Sequence, residues 1–134
     1  MTRYMLDTNT VSHLLRKHPA VARRVVATPI TDLCISAITQ GELLFGLAKR
    51  PDATALHEAV RELLRRVDVL PWDAATSEVY GTTRAATQRE GRVLAPLDLL
   101  IGAHALSIEA VLVTSDRAFR QLSGLSIEDW IEEF

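Results

Sequence analysis

The 134-residue chain is short of several things. It has one cysteine, Cys34, which cannot close an internal disulfide or build a thiolate metal cage, and that fits a reducing, cytoplasmic setting. It has two lysines, Lys17 and Lys49; the other thirteen of its 15 cations are arginines. Arginine matches phosphate and carboxylate in bidentate geometry, so a phosphodiester partner is allowed, although a net charge of -2 does not demand one. Aromatics make up only 5% of the chain, and Trp72, Trp130, Tyr4 and Tyr80 are scattered, leaving no evident platform for stacking single-stranded bases. No apolar run approaches the roughly 20 residues of a bilayer-crossing helix, so no membrane partner is expected. Met1 to Asp7 contain no basic segment followed by a long apolar one, and no signal peptide is expected either.

What remains reads as one domain over residues 1–134, with an apolar fraction of 48%, large enough to bury a core without staples. Short apolar runs alternate with helical spacings. Tyr4–Leu6 reads as a strand, followed by helical Val11, Leu14 and Leu15. Leu33–Ser36 reads as a second strand, followed by a helix through Ile38, Leu43, Leu44 and Leu47 that ends near Lys49 and Arg50. An amphipathic helix spans Ala55–Arg66, and Val67–Leu70 makes a third strand. Asp73 can cap a long helix reaching about Gly91, and Pro96 and Asp98 open another that ends near Ser107. Ala110–Thr114 is a strand of the buried, parallel type; a helix and a last strand over Leu125–Ile127 follow. Strands alternating with helices predict an α/β fold with a parallel sheet covered on both faces.

Two of the strands end in an aspartate, at Asp7 and at Ser115-Asp116. Parallel strands put their carboxyl ends on one edge, where open α/β sheets bind ligands. Asp98 begins a helix, and Glu42 is expected in or near the first turn of another; both can reach the same edge. Four acids close together raise one another's pKa unless a cation neutralises them, and oxygen ligands select a hard ion such as Mg²⁺ or Mn²⁺. Such ions activate water for attack on a phosphodiester. Thr8, Asn9, Ser12, Thr114 and Ser115 stand beside the acids as candidates to orient them.

Four segments, Met5–Asn9, Ile35–Leu43 with Gly46, Pro96–Ile101 and Leu112–Asp116, together resemble the PIN-domain ribonucleases, and within them the VapC toxins of toxin-antitoxin pairs. The resemblance implies a three-layer α/β/α fold and an acidic quartet of Asp7, Glu42, Asp98 and Asp116 that holds Mg²⁺ or Mn²⁺. It implies Asn9 and Thr114 as supporting polar residues, with Asp116 at a position that varies between Asp and Asn in the family. It further implies an endoribonuclease acting on RNA through metal-activated water, a homodimer, and inhibition by a cognate VapB-type antitoxin. Gly41 and Gly102 depart from the alanine found in many relatives; glycine weakens a helix unless close packing uses the missing side chain.

Each acid also has a structural role open to it: Asp7 and Asp98 as helix caps, Asp116 in a turn, Glu42 at a helix dipole. Four at one edge favour the metal site. His104 reads as a core or interface histidine, Arg117 and Arg120 as a solvated face that could touch RNA phosphates, and the acidic end as a solvated tail. An aspartyl-phosphate phosphatase would need an acid where Asn9 stands, and a flap-type DNA nuclease a longer chain. The alternative outside enzymes is a catalytically silent PIN-like module that binds RNA or protein.

Overall fold

The computed structural model describes residues 2–131. Its elements run β1 (Tyr4–Leu6), α1 (Thr8–Leu15), α2 (Pro19–Ala27), β2 (Leu33–Ser36), α3 (Ala37–Ala48), α4 (Thr54–Arg66), β3 (Asp68–Leu70), α5 (Ala74–Arg89), α6 (Pro96–Ser107), β4 (Val111–Val113) and β5 (Ser126–Glu128). Short 3₁₀ turns cover Ile30–Asp32 and Arg117–Gln121. The starts are chemically marked. Asp7, Ser36 and Asp73 each accept a backbone N–H of the helix they precede, satisfying donors that a helix end leaves free. Gly91, at φ +68°, follows the end of α5, where a left-handed residue suits glycine.

The five strands form one parallel sheet in the order β3-β2-β1-β4-β5. Successive side chains of a strand point to opposite faces, and both faces are filled here. Leu6, Leu33, Ile35 and Val113 pack with Val11, Val21, Leu43, Leu47, Val60 and Trp130. Met5, Cys34 and Leu112 pack on the other side with Leu99, Ile101, Ala105, Phe119 and Leu122. Helices on both faces make the expected three layers, and they explain why these strands read as continuous apolar runs rather than alternating ones.

Four local expectations need correction. α2 was not foreseen: its apolar face is narrow, with only Ala20 and Val21 buried, and the usable signal was His18-Pro19, a capping side chain followed by proline in the first turn. The turn after Asp116 is 3₁₀ rather than α, five residues long. The last two strands are displaced or shorter: β4 is Val111–Val113 and β5 is Ser126–Glu128. The C-terminal end is no solvated tail as far as Ile131. Trp130 is 2% exposed and stacks beside Tyr4 at 5.5 Å, Arg24 lies over its ring, and Glu128 Oε1 accepts from both Arg24 and the Trp130 indole. Burying so large a ring outweighs the solvation of its acidic neighbours. Glu132 and Glu133 lie outside the described residues.

Candidate active site

Reading outward from the centre of the sheet, the chain goes to β2 and β3 on one side of β1 and to β4 and β5 on the other. That reversal leaves a crevice beyond the carboxyl ends of β1 and β4. Asp7 follows β1 directly and its N–H donates to the Val113 carbonyl at the end of β4, 3.1 Å away. Thr10 Oγ1 donates to the same carbonyl at 2.9 Å, so the start of α1 is tied to both central strands. Thr10 is a further supporting residue, signalled in the sequence as the threonine three residues after a capping aspartate.

Asp7 is 4% exposed. Burial pushes its carboxyl above the ordinary range, hydrogen bonds from Thr114 and Thr10 pull it back, and nearby Asp116 adds to the rise. The Thr10 N–H donates to Asp7 Oδ1 at 2.8 Å. Thr114, equally buried, uses its hydroxyl twice: it bonds Asp7 and accepts the Asp116 N–H at 3.0 Å. Asp116 Oδ1 in turn accepts the Ala118 N–H at 2.9 Å and caps the 3₁₀ turn. The capping roles foreseen for Asp7 and the turn role foreseen for Asp116 are therefore real.

The other two acids are helix-borne. Glu42 is the sixth residue of α3, in its second turn rather than its first, so a helix dipole does not account for it. It accepts a short hydrogen bond from Thr8 Oγ1, 2.6 Å. Asp98 is the third residue of α6, which Ala95 precedes without any side-chain cap; Asp98 makes no capping bond. Its carboxyl is pushed up by burial first, then by the charges of Asp116, Asp7 and Glu42. Asp98 therefore lies within electrostatic reach of the other three acids. Asn9 stands exposed in the first turn of α1, where its carbonyl accepts from His13 Nδ1 at 2.7 Å.

Two clefts open beside the acids. A groove of about 310 Å³ borders Thr8 and Glu42, with apolar Leu43, Leu47 and Leu56 on its floor and Arg16, Lys49 and Arg50 at its edge. A smaller cleft of about 140 Å³ borders Thr114 and Asp116 and carries Arg117 and Arg120. The three cations of the first were not singled out in the sequence, because residues 16, 49 and 50 meet only through tertiary packing.

His104 is a core histidine. It is buried on α6, with Nδ1 2.7 Å from Ser36 Oγ and the Trp72 ring edge-on at 5.5 Å. Burial holds its pKa below the ordinary value against the upward pull of Asp73 and the Pro71 backbone. Buried Cys34, pushed up to about 11 by desolvation, is inert as a nucleophile.

The PIN domain family model matches residues 4–125. The chain belongs to the PIN domain family. Within that family, this PIN domain is 34% identical to the tRNA(fMet)-specific endonuclease VapC of Shigella flexneri over 97% of its own length and 99% of that protein's. It is 27% identical to ribonuclease VapC2 of Haemophilus influenzae strain Rd, over 98% and 100%. Among solved structures, DNA-bound VapBC from Salmonella typhimurium superimposes with a TM-score of 0.90 at 33% identity, covering 97% of this chain and 99% of that one. VapBC2 from Rickettsia felis, bound to a DNA fragment from its promoter, gives 0.89 at 27% identity, covering 96% and 99%. No helix among the described residues is long and apolar enough to cross a membrane.

Proposed function

We propose that this PIN domain is a metal-dependent endoribonuclease of the VapC kind, a toxin held in check by a cognate antitoxin. The observation that carries the reading is Asp98. It has no capping role, and three other acids raise its pKa from across a crevice at the sheet's switch point. Mutual repulsion of that kind costs stability unless a cation or a substrate contact offsets it. Relatives named ribonuclease and endonuclease, matched over nearly the whole chain, support the activity.

The donor set fits Mg²⁺ or Mn²⁺, being all oxygen. Among the described residues no three His, Cys, Asp or Glu side chains already form a cage. That suits an ion held by one or two carboxylates with water and substrate phosphate oxygens, the usual manner of Mg²⁺. Asp7, Asp98, Asp116 and Glu42 would supply those one or two carboxylates and, through bound water, the rest of the shell, and when bound the ion supplies charge neutralisation and a lowered water pKa. The chain's own groups do the rest. Thr114 fixes the Asp7 carboxylate and accepts the Asp116 backbone N–H, the Ala118 N–H fixes the Asp116 carboxylate, Thr8 fixes Glu42, and Asn9 offers an exposed side chain two residues from Asp7. Water adds to the phosphorus, the bond to the 3′ oxygen breaks, and that oxygen leaves with a proton, giving 5′-phosphate and 3′-hydroxyl ends. The VapBC structures support a protein inhibitor for this chain too. Exposed Val26, Phe45 and Val93 offer apolar surface for it or for a second copy in a homodimer.

The test is cleavage of an unstructured RNA and of total cellular RNA with Mg²⁺, Mn²⁺ or chelator, alongside Asp98→Asn. Cutting that needs metal, leaves 5′-phosphates and vanishes in the variant is expected. Thermal melting adds a readout without turnover: Mn²⁺ should raise Tm in the native chain and less in the variant. Folded protein that cuts nothing under any metal would replace this reading with a silent binding module.

A further inference from the structure

The cleft beside Asp116 shares Thr114 and Asp116 with the acidic site, and its remaining residues have no part in the chemistry above. It is lined by Thr114, Ser115, Asp116, Arg117, Arg120 and Asp129, with Ile127 as its one apolar member. Arg117 and Arg120 are three residues apart in a 3₁₀ turn, where positions i and i+3 eclipse, so both leave the backbone on the same side. Both are exposed, and among the described residues neither has a hydrogen-bond or ion-pair partner. Arg3, Arg24, Arg65, Arg66 and Arg92 are by contrast each paired with an acid, and what sets Arg117 and Arg120 apart from the other unpaired arginines is that the two share one cleft beside Asp116. The acids near the cleft are engaged elsewhere: Asp116 Oδ1 by the Ala118 N–H, Asp129 Oδ1 by the Ile131 N–H, and Glu128 Oε1 by Arg24 and Trp130.

Two guanidinium groups on one side of a turn repel each other and gain from a shared anion, and their planar forks match phosphate oxygens. Ser115 adds an exposed hydroxyl at the rim. We propose that this cleft is a phosphate subsite for the RNA strand, in which Arg117 and Arg120 grip the backbone phosphate next to the one being cut. The inference rests on the ribonuclease reading and adds to it the direction in which the strand leaves the acids, over the 3₁₀ turn toward β5. The larger groove beside Glu42 is also edged by cations, but its leucine floor suits an apolar partner better than a phosphodiester backbone. Asp129 at the cleft wall would oppose a bound phosphate, so replacing it should tighten binding.

The experiment measures binding of a fluorescein-labelled single-stranded RNA to the full chain in chelator, where nothing is cut, across a salt series. Each phosphate contact to a single strand contributes about 0.7 to the slope of log K against log salt. Arg117→Gln with Arg120→Gln removes one phosphate contact and should lower that slope by about 0.7, so that between 50 and 200 mM salt the native chain loses about 2.6-fold more affinity than the variant. Asp129→Asn should bind more tightly, and Arg120→Lys should keep the slope while losing affinity. With metal present, the double variant should raise KM and leave kcat nearly unchanged, which a merely structural role would not do. Melting curves check folding, and Arg120→Gln alone, with half the slope change, serves if the double variant does not fold. An unchanged slope and affinity, or no RNA binding by the native chain at low salt, overturns the subsite. If the native chain binds with the expected slope change yet never cuts, the ribonuclease reading fails and the subsite stands; if it cuts and the variants behave as native, the reverse holds.

Discussion

The four acids of the crevice divide into two pairs that are held in different ways. Asp7 and Asp116 follow strands, and each carboxylate is anchored by a backbone N–H within three residues, at 2.8 and 2.9 Å, with Thr114 between them. Asp98 and Glu42 ride on helices. Among the described residues Glu42 has one hydroxyl donor and Asp98 has no anchor, so the packing of α3 and α6 aims them. The strand-borne pair therefore does structural work at all times, whereas the helix-borne pair costs repulsion that only a bound cation or substrate offsets.

The largest effect treats the two pairs alike. Asp7→Asn and Asp98→Asn should each lower cleavage by about 10²-fold or more, because several kcal/mol of charge stabilisation depends on each carboxylate. Initial rates on a labelled RNA measure it, and retained activity in both would remove the metal site.

Stability should then separate them. Asparagine caps a helix about as well as aspartate, but alanine does not, so Asp7→Ala and Asp116→Ala should each lose about 1 kcal/mol in urea denaturation. Asp98→Asn, with no cap to lose, should be equal to the native chain or more stable by at most about 1 kcal/mol, as expected for a partly exposed charge interaction. A clear loss in Asp98→Asn would mean that the helix-borne acid is anchored after all.

The two unusual glycines test how the helices aim their acids. A Cβ on Gly102 in α6 would overlap Leu122 Cδ1, the end of a flexible side chain, and stand 3.4 Å from Phe119 Cδ1, so α6 lies close against the segment that follows Asp116 and Leu122 must move to admit a larger residue. Overpacking costs about 1–3 kcal/mol, offset by about 1 kcal/mol of helix propensity. Gly102→Ala should thus destabilise by up to about 2 kcal/mol, and it should lower activity by shifting Asp98 relative to Asp116. Gly41, beside Glu42, meets nothing within 4 Å; Gly41→Ala should stabilise by about 0.5–1 kcal/mol and leave cleavage unchanged.

The smallest effect is a pH dependence in chelator. The raised carboxyls of Asp7 and Asp98 mean that, between 3.8 and their folded values, the folded chain holds more protons than the unfolded one. Stability therefore falls as pH rises through that window. His104 acts oppositely: its pKa lies below 6.5 in the fold, so the unfolded chain binds more protons between the two values, and stability is lost as pH drops through them. Melting temperatures from pH 4 to 8 should show Asp98→Asn losing part of the first slope and His104→Gln losing the second.

The sequence alone determined the strand-borne half of the site. A short apolar run ending in aspartate announces both the strand and the cap, since each depends on neighbours in the chain, and the same local rules located most of the other elements. Helix starts placed Asp98 and Glu42 near the same edge, and the resemblance to PIN domains joined the four acids into one quartet. Apolar periodicity missed α2, whose narrow buried face of Ala20 and Val21 left only the cap His18-Pro19 as a signal, and local rules missed Trp130, which folds the C-terminal end back onto Tyr4 and Arg24. Only the tertiary structure put Glu42 and Asp98 within electrostatic reach of Asp7 and Asp116, gathered Arg16, Lys49 and Arg50 around one groove, and left Arg117 and Arg120 without acid partners among the described residues. The physical reason is range. Hydrogen bonds to nearby backbone and the period of apolar residues are written within a few positions, whereas repulsion between acids 91 residues apart in sequence, as Asp7 and Asp98 are, exists only once two helices and a sheet have packed.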